Sequence, residues 1–429
     1  MLMQNFFHQI AAIYYEGKDT QNPLAYRYYN PKKLVLGKSM AEHLRIAVSL
    51  WHPYFASEQI FAPEHPSTQP TWKKQVVDQA AHQKARFTAM FEFINKLGVP
   101  FFTFQDRDIA KEGLTINDSQ RNIKVAAANI AEAMAYHEID LLWGTANLSH
   151  LRYSKGAVTN PDLEIFTQAI AQVKDALDVT HQLSGQNYLV CGGCEGYESL
   201  LNTNLKQELN QYASFLKMLV DYKYKIGFKG NLLLEPKPFE HTKHQYDFNI
   251  ATVLAFLQQH GLEKEFTINV AANHTTLAEH SFPHDVAYAY ANNIFGSIDC
   301  VMGDGINGWD VEHYPQHLSE IVQILYMILQ RDGFKNGGFN FDTMLRSANI
   351  NINDMFYAHI KNIDTLAQGL LIAASLIETG ETENFLRKRY QNWDCALGRS
   401  ILQGQTDFEK IFQHVGQKDV TLNISNIKK

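Results

Sequence analysis

The chain has 429 residues and a net charge of −7, from 38 Lys and Arg against 45 Asp and Glu. That mild acidity leaves no basic footprint for nucleic acid or for an anionic membrane surface. Four cysteines in so long a chain exclude a disulfide framework and fit a reduced, cytoplasmic setting, and a hydrophobic content of 45% argues for a large core.

Apolar runs such as residues 369–377 fall short of the roughly 18 residues that a membrane span needs. Residues 1–15 carry neither a positive n-region nor a small-residue cleavage site, so no secretory signal is expected.

Residues 1–40 are polar and aromatic without a long period and read as an N-terminal arm. From there short β-rich runs alternate with long amphipathic stretches. The first strand falls at 45–52 (RIAVSLWH). A helix follows over 72–98, where Val76, Val77, Ala80, Phe87, Met90, Phe91 and Ile94 keep three-to-four spacing. The alternation continues with strands at 100–105, 140–144, 187–191, 231–235, 266–271, 296–301 and 337–342. Helices fall between them at 122–136, 163–183, 205–226, 250–260, 284–294 and 317–332. Several strands are unbroken β-branched and aromatic runs, as parallel strands buried on both faces should be. Eight such units predict an α/β fold, a (β/α)8 TIM barrel over 41–345. The remainder, 346–429, reads as a helical tail with helices at 354–363, 365–378 and 383–390, an expected oligomer contact.

In such a barrel the C-terminal ends of the strands face the active site. Strand two ends in Gln105, Asp106, Arg107 and Asp108, strand three at Trp143, and strand four at Cys191-Gly192-Gly193-Cys194-Glu195. Strand five ends at Glu235 and Lys237, and strand six at Asn273 and His274. Strand seven carries Asp299, with Asp304, Asp310 and Glu312 in its loop, and strand eight ends at Asp342.

A lone aspartate after a strand is most often a helix N-cap. Jointly, Glu235, His274, Asp299, Asp310 and Asp342 put too much like charge on one rim to stand without a cation. Oxygen-rich ligation with one imidazole suits Mg²⁺, Mn²⁺ or Co²⁺ better than structural zinc.

Lys237 lies two residues after Glu235, on the same strand face. It reads either as an ammonium that polarises a substrate oxygen or as a salt-bridge partner of a rim carboxylate. Cys191 and Cys194 form a CxxC. With Cys300 and Cys395 unable to supply a second one, and no thioredoxin-like helix following, redox or zinc function is the weaker reading. His241, His244 and His280 could be loop ligands, but the favoured reading of each is an ordinary surface or hydrogen-bonding residue.

The segments LLWGTANL (141–148), EGYESLLNT (195–203), GFKGNLLLEPKP (227–238), TKHQYD (242–247), HGLEKEF (260–266), GWD (308–310) and GGFNFD (337–342) resemble xylose isomerase, in order, over about residues 40–405. The long arm matches the longer-chain class. The resemblance implies a (β/α)8 barrel, a homo-oligomer (tetramer or dimer) embraced by the C-terminal tail, and interconversion of D-xylose and D-xylulose by a hydride shift between C1 and C2. It also implies two divalent metals, Mg²⁺ foremost. Glu235, Asp299 and Asp342 would hold the first. His274, Asp310 and Glu312 (where the family has aspartate) would hold the second. Lys237 matches the lysine on the C1 oxygen, Asp108 the aspartate of the ring-opening pair, and Trp143 one wall of the sugar pocket. Lys237 and His274 would also contact the substrate.

The departures are as informative. Ala271 stands where the family has the glutamate bridging both metals, and Gln105 where it has the ring-opening histidine. Cys191 replaces a pocket tryptophan and Cys194 an arginine. Val301-Met302-Gly303-Asp304 replaces NRGD, and Trp51-His52-Pro53-Tyr54 keeps only the first half of WHTF. An amide does not titrate near neutral pH as imidazole does, and a methyl group ligates nothing. The expectation is a metal-dependent aldose–ketose isomerase slowed at Ala271 and Gln105, with a weak second metal. The alternative is an inactive homologue that binds sugar or stabilises other subunits.

Overall fold

The computed structural model describes residues 6–50, 79–240, 242–303, 306, 317–342 and 352–416. Eight parallel strands close into a barrel: β1 Ala47–Ser49, β2 Phe101–Gln105, β3 Asp140–Thr145, β4 Asn187–Val190, β5 Asn231–Leu234, β6 Phe266–Ala271, β7 Phe295–Asp299 and β8 Phe339–Phe341. Each strand pairs with the next in sequence, and β8 pairs with β1 through Asn340↔Ala47 and Phe341↔Val48. The strands alternate with α1 Gln79–Leu97, α2 Ile116–His137, α3 Leu163–Gln182, α4 Leu205–Ile226, α5 Ile250–His260, α6 Phe282–Ala291 and α7 Leu318–Leu329. The expected (β/α)8 barrel is the observed fold.

The helices begin and end where local chemistry says they should. Thr115, Asp162, Asn204 and Asn249 accept a first-turn N–H at the starts of α2, α3, α4 and α5. Gly227 and Gly261, both left-handed, end α4 and α5. Gly337 is required by close approach, since a Cβ there would overlap the Gly296 carbonyl oxygen between β8 and β7.

Several boundaries differ from the sequence reading, and two of them have a plain local reason. The first strand starts at Ala47 rather than 45, because Arg45 (φ 45°) is the left-handed cap of a short helix, Met40–Leu44. After β8 the chain forms one helix, α8 Ile352–Thr379, where two were expected with a break at 364. Asp364 does not break it. Its carboxylate accepts the backbone N–H of Arg27 (2.7 Å), Tyr28 and Tyr29 (both 2.9 Å), tying the arm to α8. Glu92 on α1 does the same for Phe6 and Phe7, and Phe7 and Phe93 meet Phe356 edge to face. Phe6, Phe7, Tyr26 and Tyr29 of the arm are thus core residues, whereas Tyr14 and Tyr15 are exposed.

The main apolar core lies between strands and helices. A smaller cluster of Ala47, Phe101, Leu142, Trp143, Leu189 and Leu233 sits apart from it. The chain divides into two compact units, Met1–Ala374 and Ser375–Lys429. The second contains α9 Glu381–Tyr390, α10 Ala396–Leu402 and α11 Phe408–Gly416. Within it Phe385, Tyr390, Trp393, Phe408 and Phe412 are exposed. Among the described residues one helical stretch, Asn353–Thr379, is long and apolar enough to cross a membrane, and half of its apolar window is buried in protein, as in a core helix.

Candidate active site at the barrel mouth

The strand ends bring together most of the residues singled out from sequence. Glu235 follows β5, and its Oε2 accepts from Asn269 Nδ2 at 2.6 Å. Its Oε1 lies 3.7 Å from His274 Nε2 and 3.8 Å from Cys191 Sγ. Asp299, the last residue of β7, shares a hydrogen bond with Glu235 and accepts one from Asn340 Nδ2 at 2.9 Å. Asn340 Oδ1 in turn accepts from Thr103 Oγ1 at 2.9 Å. Asp342 follows β8 and is held by Ser49. Asp310 and Glu312, the other two predicted ligands, lie outside the described residues, as do Asp304 and the segment 51–54.

Electrostatics marks this set as incomplete on its own. Burial, then the charges of Glu235 and Asp342, push Asp299 far above the carboxylate range. Burial and Glu235 push Asp342 up to about 7, against the Ser49 hydrogen bond and Lys237. Asp342 Oδ1, His274 Nδ1 and Asn269 Oδ1 are buried without a hydrogen-bond partner. Burial, aided by Lys237, holds His274 well below the usual imidazole value, so the ring is neutral. A neutral imidazole beside crowded carboxylates, with donor atoms left over, is a donor set that fits a hard divalent cation.

Lys237 is 6% exposed, and its Nζ donates to Glu240 Oε1 at 3.0 Å. Burial alone would lower its pKa. The carboxylates of Glu240 and Glu235 work against that and keep the ammonium protonated. The salt-bridge reading of Lys237 is therefore met by Glu240, and the ammonium stays charged beside Glu235.

Asp108 lies in a single helical turn, Asp106–Ile109, after β2. Burial pushes it up to about 8 despite Arg86, with Asp342 and Asp106 adding to the rise. Its Oδ2 is buried and unpartnered. Gln105 is turned toward Asn147, whose Nδ2 donates to its Oε1 at 2.6 Å, so the Gln105 NH2 remains as a donor.

Two expectations about the rim change. β3 runs on to Thr145, so Trp143 lies two residues before the strand end, 1% exposed, in the cluster with Leu189 and Leu233 that Cys191 also packs on. Glu195 does not join the converging carboxylates. It is fully buried and accepts from the N–H groups of Ala157, Val158 and Thr159 and from Thr159 Oγ1.

Sequence reading missed Ser49, Arg86, Asn147, Glu240, Asn269 and Asn340. Asn269 carried a signal, since it lies two residues before Ala271 and so on the same strand face. Ala271 ends β6, paired with Asp299 in the barrel register.

A closed parallel barrel whose mouth gathers acid, imidazole and a fixed ammonium defines a class of small-molecule enzyme scaffold. No family model matches the chain. Curated relatives do. A xylose isomerase of Solibacter usitatus (strain Ellin6076) is 48% identical over 413 residues, covering 96% of this chain and 93% of the relative. Xylose isomerases of Burkholderia cenocepacia (strain HI2424), at 47% over 95% and 92%, and of Yersinia pestis (strain Pestoides F), at 44% over 97% and 95%, match as fully. The chain belongs to the xylose isomerase family. A solved Rhodospirillum rubrum protein, provisionally named a xylose isomerase, shares the fold at 14% identity with a TM-score of 0.51, over 76% of this chain and 99% of that one.

Proposed function

We propose that the protein is a metal-dependent aldose–ketose isomerase that converts D-xylose to D-xylulose, slowed by Ala271 and Gln105. The observation that carries this reading is the convergence of Glu235, His274, Asp299 and Asp342 on one end of the barrel, with Lys237 held charged beside them. Glu235, Asp299 and Asp342 would hold one divalent ion, Mg²⁺ foremost and Mn²⁺ or Co²⁺ in its place. His274 with Asp310 and Glu312 would hold a second and weaker one. Bound there, the ions supply Lewis-acid polarisation of the sugar oxygens and a template that orients them.

The side chains supply the rest. Asp108, protonated up to about pH 8, can give a proton to the ring oxygen as the sugar opens. Gln105 can only orient that oxygen by donating from its NH2, because its Oε1 is taken by Asn147. Lys237, braced by Glu240, hydrogen-bonds the C1 oxygen as charge builds there, while hydrogen moves with its electron pair from C2 to C1 and the proton lost from the C2 hydroxyl ends on the C1 oxygen. Trp143 backs the pocket, and Cys191 leaves one wall wider than an indole would.

Ala271 puts a methyl group where a carboxylate would join the two ions, which is why the second site is weak and turnover low. The exposed aromatic residues of the 375–429 unit support a homo-oligomer, dimer or tetramer. We place the protein in the cytoplasm, acting on free sugar.

The test is xylose-to-xylulose turnover by metal-stripped protein, with Mg²⁺, Mn²⁺ and Co²⁺ added back one at a time. Metal-dependent turnover is expected. No turnover with any ion, alongside saturable xylose binding, would overturn the catalytic reading in favour of a sugar-binding homologue.

A further inference from the structure

Outside the mouth, a second group of ligand-type side chains gathers where β6 hands over to α6. Glu279, in the left-handed conformation (φ 60°), turns the chain after the short helix Ala272–Leu277. The N–H of His280 then bonds Thr275 O, and the N–H groups of His284 and Asp285 both reach Ser281 O as α6 begins. These backbone bonds bring His280 against the first turn of α6. His280 Nδ1 lies 2.8 Å from Asp285 Oδ1, and the two imidazole rings meet edge to face at 5.2 Å. One donor atom from each of His280, His284 and Asp285 lies within 4.8 Å of the others, and among the described residues this is the one group in which three such donors stand so close.

The burial is graded as a metal site needs. Asp285 is 5% exposed and fixed, His280 is half-buried, and His284 is exposed. Asp285 anchors the group while His284 can swing. Two imidazoles and one carboxylate suit a borderline ion, whereas Mg²⁺ prefers oxygen alone. Around tetrahedral zinc, with bonds of about 2.0–2.1 Å, donor atoms stand roughly 3.3 Å apart. The His280–Asp285 contact would open by about 0.5 Å and His284 would close in, movements open to half-exposed and exposed side chains. Three protein ligands leave the fourth position to water.

We infer that His280, His284 and Asp285 form a second metal site, for Zn²⁺, Cu²⁺ or Ni²⁺, distinct in its donors from the barrel mouth. The two neighbour each other: Asp285 lines a cavity of about 10 Å³, the space of a single water, together with His274 and Ala271. His280, which as a loop residue looked ordinary, is therefore a ligand, and its carboxylate partner lies five residues further along the chain.

The experiment uses the full chain, stripped of metal and then saturated with Mg²⁺ to fill the oxygen-rich mouth. Zn²⁺ is titrated by equilibrium dialysis, and Cu²⁺ is followed by electron paramagnetic resonance. One tight Zn²⁺ per chain is expected beyond any taken up at the mouth, with Cu²⁺ showing hyperfine coupling to two imidazole nitrogens. His284→Ala should lower that Zn²⁺ affinity by more than about tenfold and remove one nitrogen from the spectrum. Glu235→Gln should weaken Mg²⁺ binding at the mouth and leave the Zn²⁺ site intact, so failure of either site is read separately. His284 is exposed, so its removal leaves the fold standing, and His280→Ala is a second arm. If His284→Ala binds Zn²⁺ and Cu²⁺ as the parent protein does, the site does not exist.

Discussion

Two pairs of carboxylates at the barrel mouth are treated in opposite ways, Asp106 and Glu195 after β2 and β4 against Asp299 and Asp342 at β7 and β8. Asp108, whose Oδ2 is buried and unpartnered, sides with the second pair although it follows β2. On the β2–β4 side, Asp106 accepts from the Asn147 N–H and from Gln172 Nε2 at 2.8 and 2.9 Å, and Glu195 accepts from three backbone N–H groups and a hydroxyl. On the β5–β8 side, Asp299 and Asp342 crowd Glu235, their pKa values driven upward, with donor atoms left unpartnered. Both sides look alike as residue types at strand ends. What separates them is whether the lone pairs are used. A buried carboxylate that the fold has saturated is structural, whereas one that the fold leaves unsaturated has its partner still to come.

The largest effect should come from adding charge to the unsaturated side. Ala271→Glu with Gln105→His should raise xylose turnover about 10²–10⁴-fold, the range that positioned acid–base groups supply. Ala271→Glu alone should tighten the second metal site, measured by calorimetric titration of Mn²⁺. A double variant that binds two metals per chain and stays inert would show that the slow step lies elsewhere, with Cys191 the next position to change.

The saturated side should answer in stability instead. Glu195→Ala leaves four buried donors without a partner and should cost about 4 kcal/mol, at roughly 1 kcal/mol each, read as a lower urea midpoint. Asp342→Asn should do the reverse in metal-free protein, relieving repulsion with Glu235 and raising the midpoint, while abolishing the protection that Mg²⁺ gives. If both substitutions shift stability the same way, lone-pair saturation is the wrong criterion.

That criterion also marks what sequence could reach. The eight strands and their order were legible because unbroken runs such as LLWG (141–144) and NLLLE (231–235) and the three-to-four spacing of the helices leave few alternatives, and Glu235, His274, Asp299 and Asp342 were legible because a strand end fixes which way a residue faces. The structural role of Glu195 was not legible because its partners, the N–H groups of residues 157–159, lie 36 to 38 positions away. Asp364 was misread for the same reason, its partners lying 335 to 337 positions away. A polar residue mid-helix looks like a break until the chain that uses it is seen. The amides of Asn269 and Asn340 escaped because an isolated amide in a strand carries no charge pattern to follow.

The same contrast predicts a pH dependence for metal-free protein. Asp108 and Asp342 sit at about 8 and about 7, above their usual 3.8. Between those values the folded chain holds protons that the unfolded chain has released. Stability is therefore fully present below the unfolded pKa and is lost as pH rises through about 7 to 8. The Tm of chelated protein should fall from pH 5 to pH 8.5, Asp108→Asn should flatten the upper part of that fall, and saturating Mg²⁺ should remove the part due to Asp342.

The smallest effect belongs to Asn147→Ala. The side chain donates to Gln105 Oε1 and accepts the Ser149 N–H on its own Oδ1, while the contact of its backbone N–H with Asp106 survives the substitution. Losing both should cost about 2 kcal/mol of stability, at roughly 1 kcal/mol each. It should change turnover less than tenfold, because Gln105 is freed to rotate yet remains an amide that cannot exchange a proton near neutral pH. In the Gln105→His background the same substitution should matter more, since a histidine needs its ring nitrogen oriented to act as a base. The comparison is made as a double-mutant cycle on kcat/KM. A coupling of about 1 kcal/mol or more would show that the saturated side of the mouth positions the group that does the acid–base work, and additivity would show that Asn147 only fills space beside it.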